Sequence, residues 1–184
     1  FEDFFPPDTL LKINMSNAFS YLAHYDTTGA SYFYLALFSS DIKNAYIYIQ
    51  KYIQHQPSDI RGILLYANLL FNNSEWFNSL FQYRRALLVD ERNFDAQLGV
   101  GLCLFNIEEY EDAVSALRKT LKVDPYDHSI HYYLGLSLMA IDDDDSAISS
   151  FTQSLLLNPD NSDTYFNLGK SYFETEKIIQ AREA

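Results

Sequence analysis

The chain is 184 residues long, and 13 Lys and Arg against 25 Asp and Glu give it a formal charge of −12. An apolar content of 48% is too high for intrinsic disorder, and the single cysteine forbids an internal disulfide. The negative charge argues against a nucleic-acid backbone as partner. Its distribution is uneven: residues 1–93 hold 9 acids and 7 bases, a net of −2, and residues 94–184 hold 16 and 6, a net of −10.

In chain order, Pro6-Pro7 and then Asp8 favour a helix start, and Leu11, Met15, Ala18 and Phe19 suit one apolar stripe. Residues 1–25 are expected to hold a capping helix or the second helix of a preceding unit. The opening FEDFFPPD has neither an initiating Met nor a basic leader, and the end at Ala184 falls within an expected helix. The native protein is therefore expected to continue. The longest nearly apolar run, ILLYANLLF at 63–71, is far short of the ~20 residues of a membrane span.

From residue 26 onward one period, of about 34 residues, governs the chain. Gly101, Gly135 and Gly169 are separated by it, as are Pro125 and Pro159, and Ala113, Ala147 and Ala181. Ala45 and Pro57 fall in the same phases. The expected units are 26–59, 60–93, 94–127, 128–161 and a shortened 162–184.

Each unit reads as two helices. In 128–161, Ile130, Leu134, Leu138 and Ile141 mark one apolar face. The acidic run Asp142–Asp145 interrupts it, and Ala147, Ile148, Phe151 and Leu155 form a second face. Pro159 stops that helix, because proline cannot continue one. Gly135 and Ala147 are small residues on the two helices of the pair, which predicts close approach of their backbones, with Phe151 filling the space beside the contact. In 60–93 the same phases carry Ala67 and Ser79, both small.

This pattern resembles the tetratricopeptide repeat, a pair of helices recurring with the same period. The signature stands here as Leu134–Gly135–Leu138…Ala147…Phe151…Pro159, as Val100–Gly101–Leu104…Ala113…Leu117…Pro125, and as Tyr165–Leu168–Gly169–Tyr172…Ala181. The first unit departs from it with Phe33 at the glycine phase. The resemblance implies an all-α fold, a right-handed α-solenoid of helix-turn-helix repeats, over residues 26–184.

Catalytic groups are not evident: there is no phosphate loop, HExxH or G-x-S-x-G. Cys103 lies mid-helix among apolar residues and reads as a packing thiol. His128 and His131 are spaced as two metal ligands can be, yet His131 holds the phase of Tyr165, a packing place, and His128 reads as a surface group. The run Asp142–Asp145 lacks calcium-loop spacing and reads as helix capping. No metal or cofactor is expected.

The resemblance also implies a concave groove lined by the first helix of each unit. At its family-polar places this chain puts large apolar groups, Tyr34, Phe38, Leu65, Leu102, Tyr133 and Leu136. Among them stand Asn68, Asn72, Asn106 and Asn167, able to bond an extended peptide, and Lys170. A chaperone-tail clamp needs Lys or Arg at set groove places in neighbouring units, and no frame of this chain supplies one. The strict phase and the acidic surface disfavour an RNA-reading helical repeat.

The expected function is therefore a non-enzymatic protein-interaction scaffold, binding an apolar or aromatic-bearing segment of a partner and belonging to a larger assembly. Self-association, or a docking region of a longer enzyme, are the alternatives. Neither nucleic-acid binding nor membrane insertion is expected, and the absence of targeting signals points to the cytoplasm.

Overall fold

The computed structural model describes residues 17–20, 22–24 and 26–183, with side chains up to residue 176. Pro6, Pro7, Asp8, Leu11 and Met15 lie outside the described residues, as does the side chain of Ala181. The chain divides into two compact units, Phe1–Asp90 and Glu91–Ala184. The described residues are helical and contain no strand.

In the first unit, residues 17–20 and 22 are helical, followed by α1 (Ala30–Phe38), α2 (Ile42–His55), α3 (Ile60–Asn72) and α4 (Trp76–Val89). The second unit holds α5 (Phe94–Asn106), α6 (Tyr110–Thr120), α7 (His128–Ala140), α8 (Asp144–Leu157) and α9 (Ser162–Glu183). Helix starts recur at the interval of the glycines: Ile60, Phe94, His128 and Ser162, and likewise Ile42, Trp76, Tyr110 and Asp144.

The caps keep the same period. Asp59, Asn93, Asp127 and Asn161 each accept a hydrogen bond from a backbone N–H of the first turn that follows, at 2.7–3.0 Å. Short side-chain oxygens satisfy donors that have no partner within the helix. Asp26 does the same for α1, bonding the N–H of Ser31 at 2.6 Å and those of Thr28 and Gly29, which holds its carboxyl well below the usual carboxylate range.

The turns within helix pairs share one device. Ser74, Glu108 and Asp142 adopt left-handed backbone, with φ of 60°, 66° and 59°. The next N–H closes on the helix: Glu75 on Leu70 O at 2.9 Å, Glu109 on Leu104 O at 3.0 Å and Asp143 on Leu138 O at 3.0 Å. This is the six-to-one bond of a Schellman motif, made without glycine. Asp143 then caps α8 by accepting from the Ser146 N–H, so the acidic run works as a helix start.

Glu176 stands in the phase of those three residues, but no turn forms there. Against the expectation of a second helix in 162–184, α9 runs unbroken for 22 residues. The Glu and Lys residues of Glu174-Thr175-Glu176-Lys177 are good helix formers.

Within the first unit, α1 packs on α2, α2 on α3 and α3 on α4. Ala36, Ile49 and Tyr52 form a buried cluster, with Phe33 and Leu65 against it. Within the second unit, Val114, Leu117, Ile130, Leu134, Leu138, Ala147 and Phe151 form the core. The glycine phase works differently from the expected backbone contact. A Cβ on Gly135 would lie 2.6 Å from the Phe151 ring, and one on Gly101 2.7 Å from the Leu117 side chain. The glycine thus makes room for a large side chain on the second helix of its pair. Among the described residues a Cβ at Gly169 would meet nothing within 4 Å. Ser79, in the alanine phase, is fully buried and donates to Ala67 O at 2.9 Å, so its hydroxyl is satisfied across the pair.

Asp59 joins α2 to α3 in the first unit. It receives Arg61 Nε at 3.1 Å and Nη2 at 2.6 Å, and the hydroxyl of buried Tyr52. The Arg61 guanidinium, helped by the Tyr52 hydroxyl, draws its carboxyl down to about 2 from the ordinary 3.8. A depressed carboxylate stabilises fully above its unfolded value, and the contribution disappears as pH falls through the folded one. Asp59→Asn keeps an amide able to cap, as Asn93 does. It is expected to remove about 1–2 kcal/mol of the stability lost on acidification, after allowance for screening of exposed Arg61. Urea denaturation at a series of pH values measures this, and an unchanged acid limb would contradict the assignment.

Candidate functional site

None of the eleven groove residues expected from the sequence is fully buried. In the first unit, Tyr34 is 40% exposed and Phe38 is half-buried, but Phe19 stacks on both, with ring centroids 4.8 Å from Tyr34 and 6.3 Å from Phe38. Part of that face is therefore covered from within the chain. Leu65 is half-buried against the Ala36–Ile49–Tyr52 cluster. Asn68 and Asn72 are exposed, and Asn68 Oδ1 accepts from the Tyr83 hydroxyl at 2.5 Å.

In the second unit, Leu102, Asn106, Tyr133, Leu136 and Asn167 are half-buried, and Lys170 is exposed. Tyr133 and Leu136 pack against the Phe151 core, and the Phe105 ring meets Tyr133 edge-on at 5.5 Å. Asn106 Nδ2 donates to Leu102 O at 2.7 Å and Asn167 Nδ2 to Asp163 O at 2.9 Å. These two amides turn a donor back onto their own helices, which reduces what they offer an incoming backbone.

Larger apolar surfaces lie outside the expected groove residues. On α9, Tyr165, Phe166, Tyr172 and Phe173 are all exposed, with Phe166 at 74%. At 3.6 residues per turn they fall within roughly 60° of Gly169 on one face. The sequence carries the signal as aromatics three and four places either side of a glycine, and the second helix expected for that unit would have covered it. On α4, Phe77, Phe81 and Leu88 are exposed along one face, Leu88 at 88%. Their spacing of four and seven is readable in the sequence, but the repeat signature marks the opposite, small-residue face of that helix.

Cys103 is fully buried, as a packing residue requires. His131 Nε2 lies 3.0 Å from Pro125 O, and His128 is half-buried rather than a surface group. Among the described residues no three or more His, Cys, Asp or Glu stand together as a metal site. Asp144 is buried at the start of α8. Burial raises its carboxyl above the usual range, against the opposing contact of Ser171, and nearby Glu174, Asp142 and Asp145 add to the rise. Among the described residues no helix is long and apolar enough to cross a membrane.

Residues 39–120 match the family of anaphase-promoting complex, cyclosome, subunit 3. Residues 106–151 and 150–183 match two tetratricopeptide repeat families. No curated protein sequence matches. Among solved structures, MamA from Desulfovibrio magneticus RS-1 is 17% identical, with 92% of this chain and 90% of that one covered and a TM-score of 0.74. YrrB, described as a TPR protein with an unusual peptide-binding site, is 20% identical over 88% of this chain and 85% of its own, with a TM-score of 0.76. MamA from AMB-1 is 18% identical over 95% and 87%, with a TM-score of 0.67. At such identities the likeness establishes the fold, a helical repeat solenoid. The residue phases, the recurring helix starts and the family matches over residues 39–183 agree, and the chain belongs to the tetratricopeptide repeat family.

Proposed function

We propose that this chain is a non-enzymatic protein-interaction scaffold that binds an apolar or aromatic-bearing segment of a partner protein. The observation that carries the reading is the aromatic face of α9, where four exposed rings flank a glycine with open space above it. In the two preceding helix pairs, the equivalent glycines each receive an apolar side chain, Leu117 or Phe151. Large exposed apolar patches mark interaction sites more often than they persist in water. Leu102, Tyr133 and Leu136 belong to the same reading as groove residues of the second unit, with Lys170 at its polar edge, and Tyr34, Asn68 and Asn72 are their counterparts in the first. The peptide-binding site ascribed to YrrB and the match to a family named for a complex subunit support a peptide ligand and a place in an assembly.

Selection from a displayed peptide library tests this. Enrichment of sequences with aromatic or branched apolar anchors is expected. Phe166→Glu with Phe173→Glu, both exposed and so tolerable to the fold, should weaken a selected peptide by tenfold or more, about 1.4 kcal/mol. Selection of peptides without apolar anchors, or unchanged binding by the double variant with circular dichroism intact, would contradict the proposal.

A further inference from the structure

The cations missing from the groove stand on a different surface. A shallow cleft of about 340 Å³ on α6 is lined by Glu111, Val114, Ser115, Arg118, Lys119 and Lys122. Residues 94–184 hold 6 bases against 16 acids, and three of those bases line this one cleft. All three are exposed, and none makes an ion pair among the described residues.

Their spacing leaves them uncompensated. Arg118 and Lys122 are four apart and Lys119 and Lys122 three apart, the separations at which like charges on a helix repel. The backbone supports that register past the end of α6, since the Lys122 N–H bonds Lys119 O at 3.1 Å. The positions three and four before Arg118 and Lys119 hold Val114, Ser115 and Ala116, so no acid sits within reach there on the helix. Glu111 borders the cleft seven places before Arg118, about 10 Å along the axis. The C-terminal helix dipole accounts for part of the arrangement, but it is equivalent to about half a charge, and three cations exceed it.

We infer that this cleft on α6 binds a short acidic segment of a partner protein, its carboxylates on Arg118, Lys119 and Lys122. Arg118 offers a carboxylate two parallel donors, and the lysines act as point charges beside it. The surrounding charge selects the size of the ligand. A long polyanion such as duplex DNA or an anionic membrane meets the field of a half-chain with a net of −10, whereas a short segment fits within the basic patch. This surface is separate from the aromatic face of α9 and its occupancy does not depend on that face.

The test is fluorescence anisotropy of the whole chain with a labelled peptide of Asp, Glu and Leu, against the same peptide with Asn and Gln for its acids. Expected is binding of the acidic peptide at least about tenfold tighter, falling as salt is raised from about 0.05 to 0.3 M. Arg118→Gln, Lys119→Gln and Lys122→Gln together should remove that preference with the melting curve retained, and Phe166→Glu should leave it unchanged. Equal binding of the two peptides, or a preference that survives the triple substitution, overturns the inference. So does tighter binding of duplex DNA or phosphatidylserine vesicles through the same three residues.

Discussion

Phe151→Ala is expected to cost about 3–5 kcal/mol, the largest single loss of any substitution in the second unit. The ring is fully buried among Leu134, Leu138 and Ala147 and fills the space that Gly135 leaves. Truncation removes the apolar burial and leaves a cavity whose wall on one side is a glycine backbone, with no side chain able to relax into it. Urea denaturation followed by far-UV circular dichroism measures the loss. In a repeat array the C-terminal helices can unfold as a separate step, so the transition of the second unit is the one to read. A loss under about 1 kcal/mol would mean that the cradle collapses readily, and the proposed fit of Phe151 would be wrong.

Gly135→Val and Gly169→Ala should move stability in opposite directions, although both glycines hold the same phase of the repeat. At Gly135 even the first carbon meets ring carbons of Phe151 at 2.6, 2.7 and 2.9 Å, and Phe151 has no exposed edge toward which to retreat. Overpacking of this kind costs about 2–3 kcal/mol. At Gly169 an added Cβ meets nothing within 4 Å among the described residues, and φ is not in the left-handed region. Replacing a mid-helix glycine with alanine there should raise stability by about 0.5–1 kcal/mol. The same denaturation experiment compares them. Equal destabilisation at both positions would show that the space above Gly169 is occupied in solution, and the aromatic face of α9 would then already be covered. Gly169→Ala should also weaken an aromatic peptide bound on that face, which separates a covered surface from an open one.

The helix pairs are legible in the sequence because their signals are local and periodic. Pro125 and Pro159 follow helix ends, Ala45, Ala113 and Ala147 are buried at the alanine phase, and Gly101 and Gly135 stand opposite large side chains. Less visible is the order of the caps, although Asp59, Asn93, Asp127 and Asn161 repeat as strictly as the glycines. Each is a common surface residue type, so the pattern lacks contrast until its hydrogen bonds are known. The three cations of α6 are likewise plain in the sequence, but they stand on a second helix, away from the groove that the repeat signature implies.

The groove shows where local signals stop. Leu102 and Leu136 share one phase, and only packing decides whether such a side chain faces water or a neighbour. Leu136 rests on the Phe151 core, while Tyr34 and Phe38 receive Phe19 from the stretch that precedes the first expected unit. Amide orientation is equally tertiary, as Asn68 meeting the Tyr83 hydroxyl demonstrates.

The all-α class, the period and the small-to-large pairing within each helix pair are written in the order of the amino acids alone. They follow from side-chain volume and helix-ending residues, which act over one or two turns. The uneven charge, −2 against −10, is also complete at that level. Which apolar residues stay in water is set by three-dimensional packing, because exposure depends on what lies above them. Packing set Leu117 against Gly101 and Phe151 against Gly135, and brought the Tyr83 hydroxyl to Asn68. A period predicts where a partner helix belongs, whereas its arrival rests on the burial gained outweighing the cost of ordering another turn.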